Sequence, residues 1–141
     1  MISASKELAS PQRDVWAFLA EPYHLPDWWP GYSGVRPDRK GLAPGARWQV
    51  TRSRRPGLLR KPGGEALVVI KTVDPVFALV WHDTQAKLDV GIALAPADGE
   101  RTLATVTVSG PWWRLWTEGA RRSAKLSLER LNSLIQTAES L

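Results

Sequence analysis

His82 and Lys71 stand in apolar, strand-like runs, and they are the candidates for acid/base chemistry in this sequence. A histidine inside a pocket titrates near neutral pH and can give or take a proton. Lys71 shares strand parity with Leu67 and Val69, and His82 shares it with Ala78 and Val80. If those faces look inward, both polar side chains enter a cavity. The opposite parity buries Ile70, Leu79 and Trp81 and leaves both polar groups in water. Both strands are apolar on both parities, so periodicity does not arbitrate. We favour the inward face for both, although a lone histidine is more often structural.

Other chemistry is sparse. The chain has no cysteine, which excludes disulfides, thiolate nucleophiles and Cys-ligated metals. His24 has only Asp27 close by in sequence, too little for a metal site of three or four ligands. No GxSxG, HExxH or phosphate-loop pattern occurs, and Gly41-Leu-Ala-Pro-Gly45 reads as a turn. No carboxylate pair sits among the apolar candidates. The expectation is therefore no metal, no cofactor, and binding ahead of catalysis.

Tryptophan is the unusual residue, with eight in 141 positions. Ligand pockets are mostly apolar and aromatic with a few polar groups. The expected lining begins with Trp28, Trp29 and Trp48. From the strands come Val69, Val80, His82, Val90, Ile92, Val106 and Val108. Trp113 and Trp116 complete it, where the last helix would enter the cavity. For the tryptophans as a set, pocket lining and plain core stand equal. Trp16 is assigned to the core and Trp112 to the periphery.

These residues need elements to hold them. Ile2 to Ala9 alternates as a strand. Ser10-Pro11 suits a helix start, with serine as cap and proline at the first helical position. Val15, Phe18 and Leu19 follow at helical spacing, and Pro22 ends the run. Leu25 to Trp29 reads as a second, short helix closed by Pro30-Gly31. Strands are then expected over 34–38, 47–52, 65–73, 76–83, 87–94 and 103–109. Pro44-Gly45, Asp74-Pro75 and Asp98-Gly99 mark turns. Short connections make the sheet antiparallel. After Gly110-Pro111, Ala124, Leu128, Leu131, Ile135 and Ala138 step along one helix face. Extended back to Trp112, that is about 28 residues and roughly 42 Å of helix at 1.5 Å per residue.

The length suits one domain, 1–141, with a core that needs no staple. Net charge is +5. Arg52, Arg54, Arg55, Arg60 and Lys61 surround Pro56-Gly57 and Pro62-Gly63-Gly64, which reads as a solvated turn rather than a nucleic-acid surface, since no aromatic residues interleave with the charges. The N-terminus lacks the pattern of a signal peptide. The longest apolar run, residues 76–81, is far short of the about 20 residues a spanning helix needs. A cytoplasmic protein is expected, monomeric or weakly dimeric, with a small hydrophobic molecule as partner and no nucleic acid.

SPQRDVWAFLAEPYHLPDWWPGY, residues 10–32, resembles the opening of the START/Bet v 1-like (SRPBCC) superfamily, especially its polyketide cyclase/dehydrase-like members. The shared pattern is a small residue and proline at a helix start, a Val-Trp pair, an acidic-Pro break and a Trp-Pro closure. Val73-Asp74-Pro75, followed by Leu79-Val80-Trp81, is similar to that family's fourth-to-fifth strand hairpin. The resemblance implies an α+β helix-grip fold. In it a curved antiparallel sheet of about six to seven strands wraps a long C-terminal helix, with two short helices after the first strand. It implies an internal cavity for a lipid-, polyketide- or isoprenoid-like ligand. Its alternatives are an aromatase/cyclase using His82 and Lys71, and a protein-interaction module whose cavity is filled by tryptophan.

Overall fold

The computed structural model describes residues 1–53 and 64–140, with 138–140 as backbone only. Strand β1 (Ile2–Leu8) leads into helix α1 (Gln12–Leu19), a 3₁₀ turn (Pro22–His24) and helix α2 (Leu25–Trp28). Six strands follow: β2 (Tyr32–Arg36), β3 (Arg47–Arg52), β4 (Glu65–Asp74), β5 (Ala78–Asp83), β6 (Leu88–Ala97) and β7 (Arg101–Ser109). Two helices end the chain, α3 (Trp112–Thr117) and α4 (Ala120–Ser140).

All seven strands form one antiparallel sheet in the order β1-β7-β6-β5-β4-β3-β2. The hairpins place β2 to β7 side by side, and β1 returns to pair with β7. The alternation in β6 and β7 reads directly into structure. Leu88, Val90, Ile92 and Leu94 are buried, as are Ala104, Val106 and Val108 across from them. On α4, Ala120, Ala124, Leu128, Leu131 and Ile135 form the buried stripe against that face. Burying a Leu or Ile side chain is worth about 1.5–3 kcal/mol, so this stripe is a main anchor of the helix.

Two expectations about helices need correction. Pro11, not Ser10, immediately precedes α1, and it makes no side-chain cap; its carbonyl accepts from the Asp14 and Val15 amides. Ser10, just before it, is buried, and its carbonyl accepts from Thr102 Oγ1 at 2.7 Å. The long C-terminal helix is also not continuous. It breaks at Glu118-Gly119, where Gly119 takes φ +63°, a conformation that favours glycine. The apolar stripe of α4 does not continue through α3, where Trp113 and Trp116 are exposed and Leu115 is the buried side chain.

The sheet faces run opposite to the favoured parity. Ala66, Val68 and Ile70 of β4 and Leu79 and Trp81 of β5 point into the core. Val69, Lys71, Val80 and His82 therefore lie on the outer face, and none of them lines the interior. The register slips between the pairs Ile70–Trp81 and Thr72–Val80, which makes Lys71 the extra residue of a β-bulge. The basic stretch Arg54, Arg55, Arg60 and Lys61 lies outside the described residues. Among the described residues, no helix is long and apolar enough to cross a membrane.

Candidate functional site

Four tryptophans fill the centre of the grip. Trp28, Trp29 and Trp81 meet edge to face, with ring centroids 5.7 to 6.2 Å apart. That is the arrangement favoured by the ring quadrupole. Trp48 is buried as well and donates from Nε1 to the Gly41 carbonyl at 2.9 Å. Both members of the Trp28-Trp29 pair are thus interior, because α2 ends between them and Trp29 leaves the helix extended.

One end of this core carries polar groups. Tyr32 donates from its hydroxyl to Asp83 Oδ2 at 2.8 Å and accepts from Trp81 Nε1 at 3.1 Å. The other oxygen of Asp83 accepts from the amides of Gln85 and Ala86, closing the β5–β6 turn. Burial holds the Tyr32 phenol well above its ordinary pKa; the charge of Asp83 and its hydrogen bond push the same way, opposed by Trp81 and Arg52. Tyr32 therefore stays a neutral donor. Nearby, the guanidinium of Arg52 pairs with Glu118. Their side chains are only 20% and 11% exposed, so the pair is largely withdrawn from water.

These groups border a small space of about 50 Å³. Tyr32, Arg52, Asp83, Glu118 and Ser123 form its polar side, and Trp29, Leu88, Val90 and Val108 its apolar side. A volume of about 50 Å³ holds a water or two. The turn after α3 borders it through Glu118 and Ala120, and the one buried side chain of α3 is Leu115. Of the expected lining residues, Trp29, Val90 and Val108 border this space. Trp28, Trp48, Ile92 and Val106 are buried elsewhere in the core.

The remaining expected residues lie outside. Trp113 and Trp116 are 44% and 80% exposed, because the short α3 turns them away from the sheet once Leu115 is seated. His82 Nδ1 contacts Asp89 Oδ1 at 2.8 Å, and Lys71 Nζ contacts Asp89 Oδ2 at 3.1 Å. This is a solvent-facing charge cluster on the outer sheet face, remote in direction from the interior. Reasoning from sequence missed Tyr32, Arg52, Asp83 and Glu118. One signal was available: Asp83 shares parity with Leu79 and Trp81, so choosing that face would have brought it inward. Among the described residues, no group of three or more His, Cys, Asp or Glu could hold a metal.

A seven-stranded antiparallel sheet packed on a C-terminal helix, with two short helices after β1, is the helix-grip arrangement that the resemblance of residues 10–32 implies. Solved structures share it end to end. The protein NE0264 from Nitrosomonas europaea superposes with a TM-score of 0.73 at 20% identity, over 99% of this chain and 96% of that one. The AHSA1-like protein from Aeromonas hydrophila gives 0.67 at 15% identity, over 98% and 94%. DynU16, from the dynemicin biosynthetic locus, gives 0.69 at 17% identity, over 97% of this chain and 47% of its own length. At such identities the likeness is one of fold. No protein-family model and no curated protein matches the sequence.

Proposed function

We propose that this chain binds a small, largely apolar molecule between the sheet and α4, beside the α3–α4 turn. The observation that supports this reading is the cluster Tyr32, Asp83, Arg52 and Glu118. Polar and charged groups are costly to bury, and here they gather on one side of an otherwise aromatic and aliphatic interior. Such a pattern suits a ligand with an apolar body and one polar end. The space of about 50 Å³ is smaller than the roughly 300 Å³ or more of ordinary ligand sites, so binding requires the α3–α4 turn that carries Glu118 and Ala120 to move away. That turn is suited to moving: α3 before it has six residues and one buried side chain, and Gly119 breaks the helix.

Binding without chemistry is preferred to a cyclase-type reaction. Tyr32 and Asp83 satisfy one another, and Tyr32 is held neutral, so neither stands ready as a base. His82 and Lys71 face away. Lipid-, polyketide- and isoprenoid-like compounds are the classes to test. Native mass spectrometry of protein taken gently from cells should show a hydrophobic adduct near one per chain. A bare mass, together with failure of all three compound classes to bind, would remove this reading.

A further inference from the structure

We propose that α3 and the first two turns of α4 dock on an anionic lipid bilayer. The proposal stands on the outside of the molecule and does not depend on what binds within. Trp112 and Trp116, four residues apart on one side of α3, are 79% and 80% exposed. With Ile2, Leu115 and Leu126 they wall a broad open groove of about 1080 Å³ beside the N-terminal end of α4. Arg121, Arg122 and Lys125 stand on the same groove, against a single acid, Glu129.

An exposed tryptophan is an unfavourable choice for a surface in water alone. Its amphipathic ring is at home at the level of lipid headgroups. Cations flanking an apolar face are drawn to a negative bilayer, each strengthening binding about fivefold near the surface. Together these features make the interfacial pattern of a helix that lies in the headgroup layer. Charge sets the choice of occupant: the rim is cationic, so the partner surface is anionic. Depth is set by the tryptophans, which have only lipid to enter once the cations meet headgroups.

The test is sedimentation with vesicles of phosphatidylcholine alone and of phosphatidylcholine mixed with phosphatidylglycerol, using the full chain. The chain should bind the mixed vesicles, with blue-shifted tryptophan emission, and release as salt rises. Replacing Arg121, Arg122 and Lys125 together by Gln should weaken binding about a hundredfold, as three such cations imply. Trp112→Ser with Trp116→Ser should abolish the blue shift while circular dichroism stays native, since both side chains are exposed. The cluster Arg54, Arg55, Arg60 and Lys61 is intact in both variants. Binding by the tryptophan variant as tight as that of the unmodified chain would therefore overturn the proposal. So would absence of binding to mixed vesicles, or self-association of the chain that the tryptophan variant loses.

Discussion

Arg52 and Glu118 form an ion pair across the mouth of the grip, joining the end of β3 to the break between α3 and α4. It ties the sheet to the turn that separates the two C-terminal helices. Breaking a largely withdrawn pair leaves one charge without its partner, which costs more than losing an exposed pair. Glu118→Gln should destabilise the chain by about 1–3 kcal/mol in denaturant unfolding. A cycle with Arg52→Met should return a coupling of roughly 1 kcal/mol or more. Amide exchange should quicken over residues 112–119 and stay unchanged in β6 and β7. Uniform quickening would mean that α3 is not a separate unit.

Tyr32 makes a second link, from edge strand β2 to Trp81 and Asp83. Tyr32→Phe removes one acceptor and one donor from buried partners, at a cost of about 1–3 kcal/mol. The raised pKa also has a sign. The folded state keeps the phenol protonated where the unfolded chain releases it, so the folded state binds more protons above about pH 10, the ordinary tyrosine value. The stabilisation is full below that pH and declines as pH rises toward the folded value. Unfolding midpoints measured from neutral to strongly alkaline pH should fall more steeply for the unmodified chain than for Tyr32→Phe. Parallel curves would contradict the burial of this hydroxyl.

Trp29 borders the interior space and is itself buried. Trp29→Ala should cost about 3–5 kcal/mol and leave a cavity continuous with that space. Free indole should then raise the melting temperature of the variant and leave the unmodified chain unaffected. If indole does nothing to the variant, the cavity has collapsed and the core is plastic at this end.

On the outer face, His82→Ala should change stability by no more than about 1 kcal/mol, because its contact with Asp89 is solvent-exposed. Ligand binding should be unaltered. A loss of binding in this variant with the fold intact would return His82 to the site and favour the enzymatic alternative.

How far the chain could be read from its sequence depended on which strands had one apolar side. β6 and β7 alternate cleanly because one face meets α4 and the other meets water, so their inward residues were legible. β4 and β5 carry apolar residues on both faces, and a β-bulge at Lys71 breaks the alternation further. Parity there was decided by tertiary packing, with Trp81 inserted between Trp28 and Trp29. The helical stripe of α4 was equally plain, yet periodicity alone passed straight over the turn at Gly119. The polar site was hidden for a different reason. Tyr32, Arg52, Asp83 and Glu118 come from four separate elements, and each has an ordinary local reading as a strand end, a charged edge, a turn residue or a helix terminus.

A ligand held between the sheet and α4, beside the α3–α4 turn, is tested most directly by nuclear magnetic resonance titration. The chain would be titrated with aromatic polyketides, fatty acids and isoprenoids in turn, following assigned backbone and side-chain signals. At least one compound should saturate near one per chain. It should shift signals of Trp29, Tyr32 and Ser123, which border the interior space, and speed amide exchange across 112–119 at partial saturation. If no compound binds, or if the shifts are confined to Trp112, Trp116 and Arg121 on the outer groove, the interior is simply a filled core and the reading is wrong.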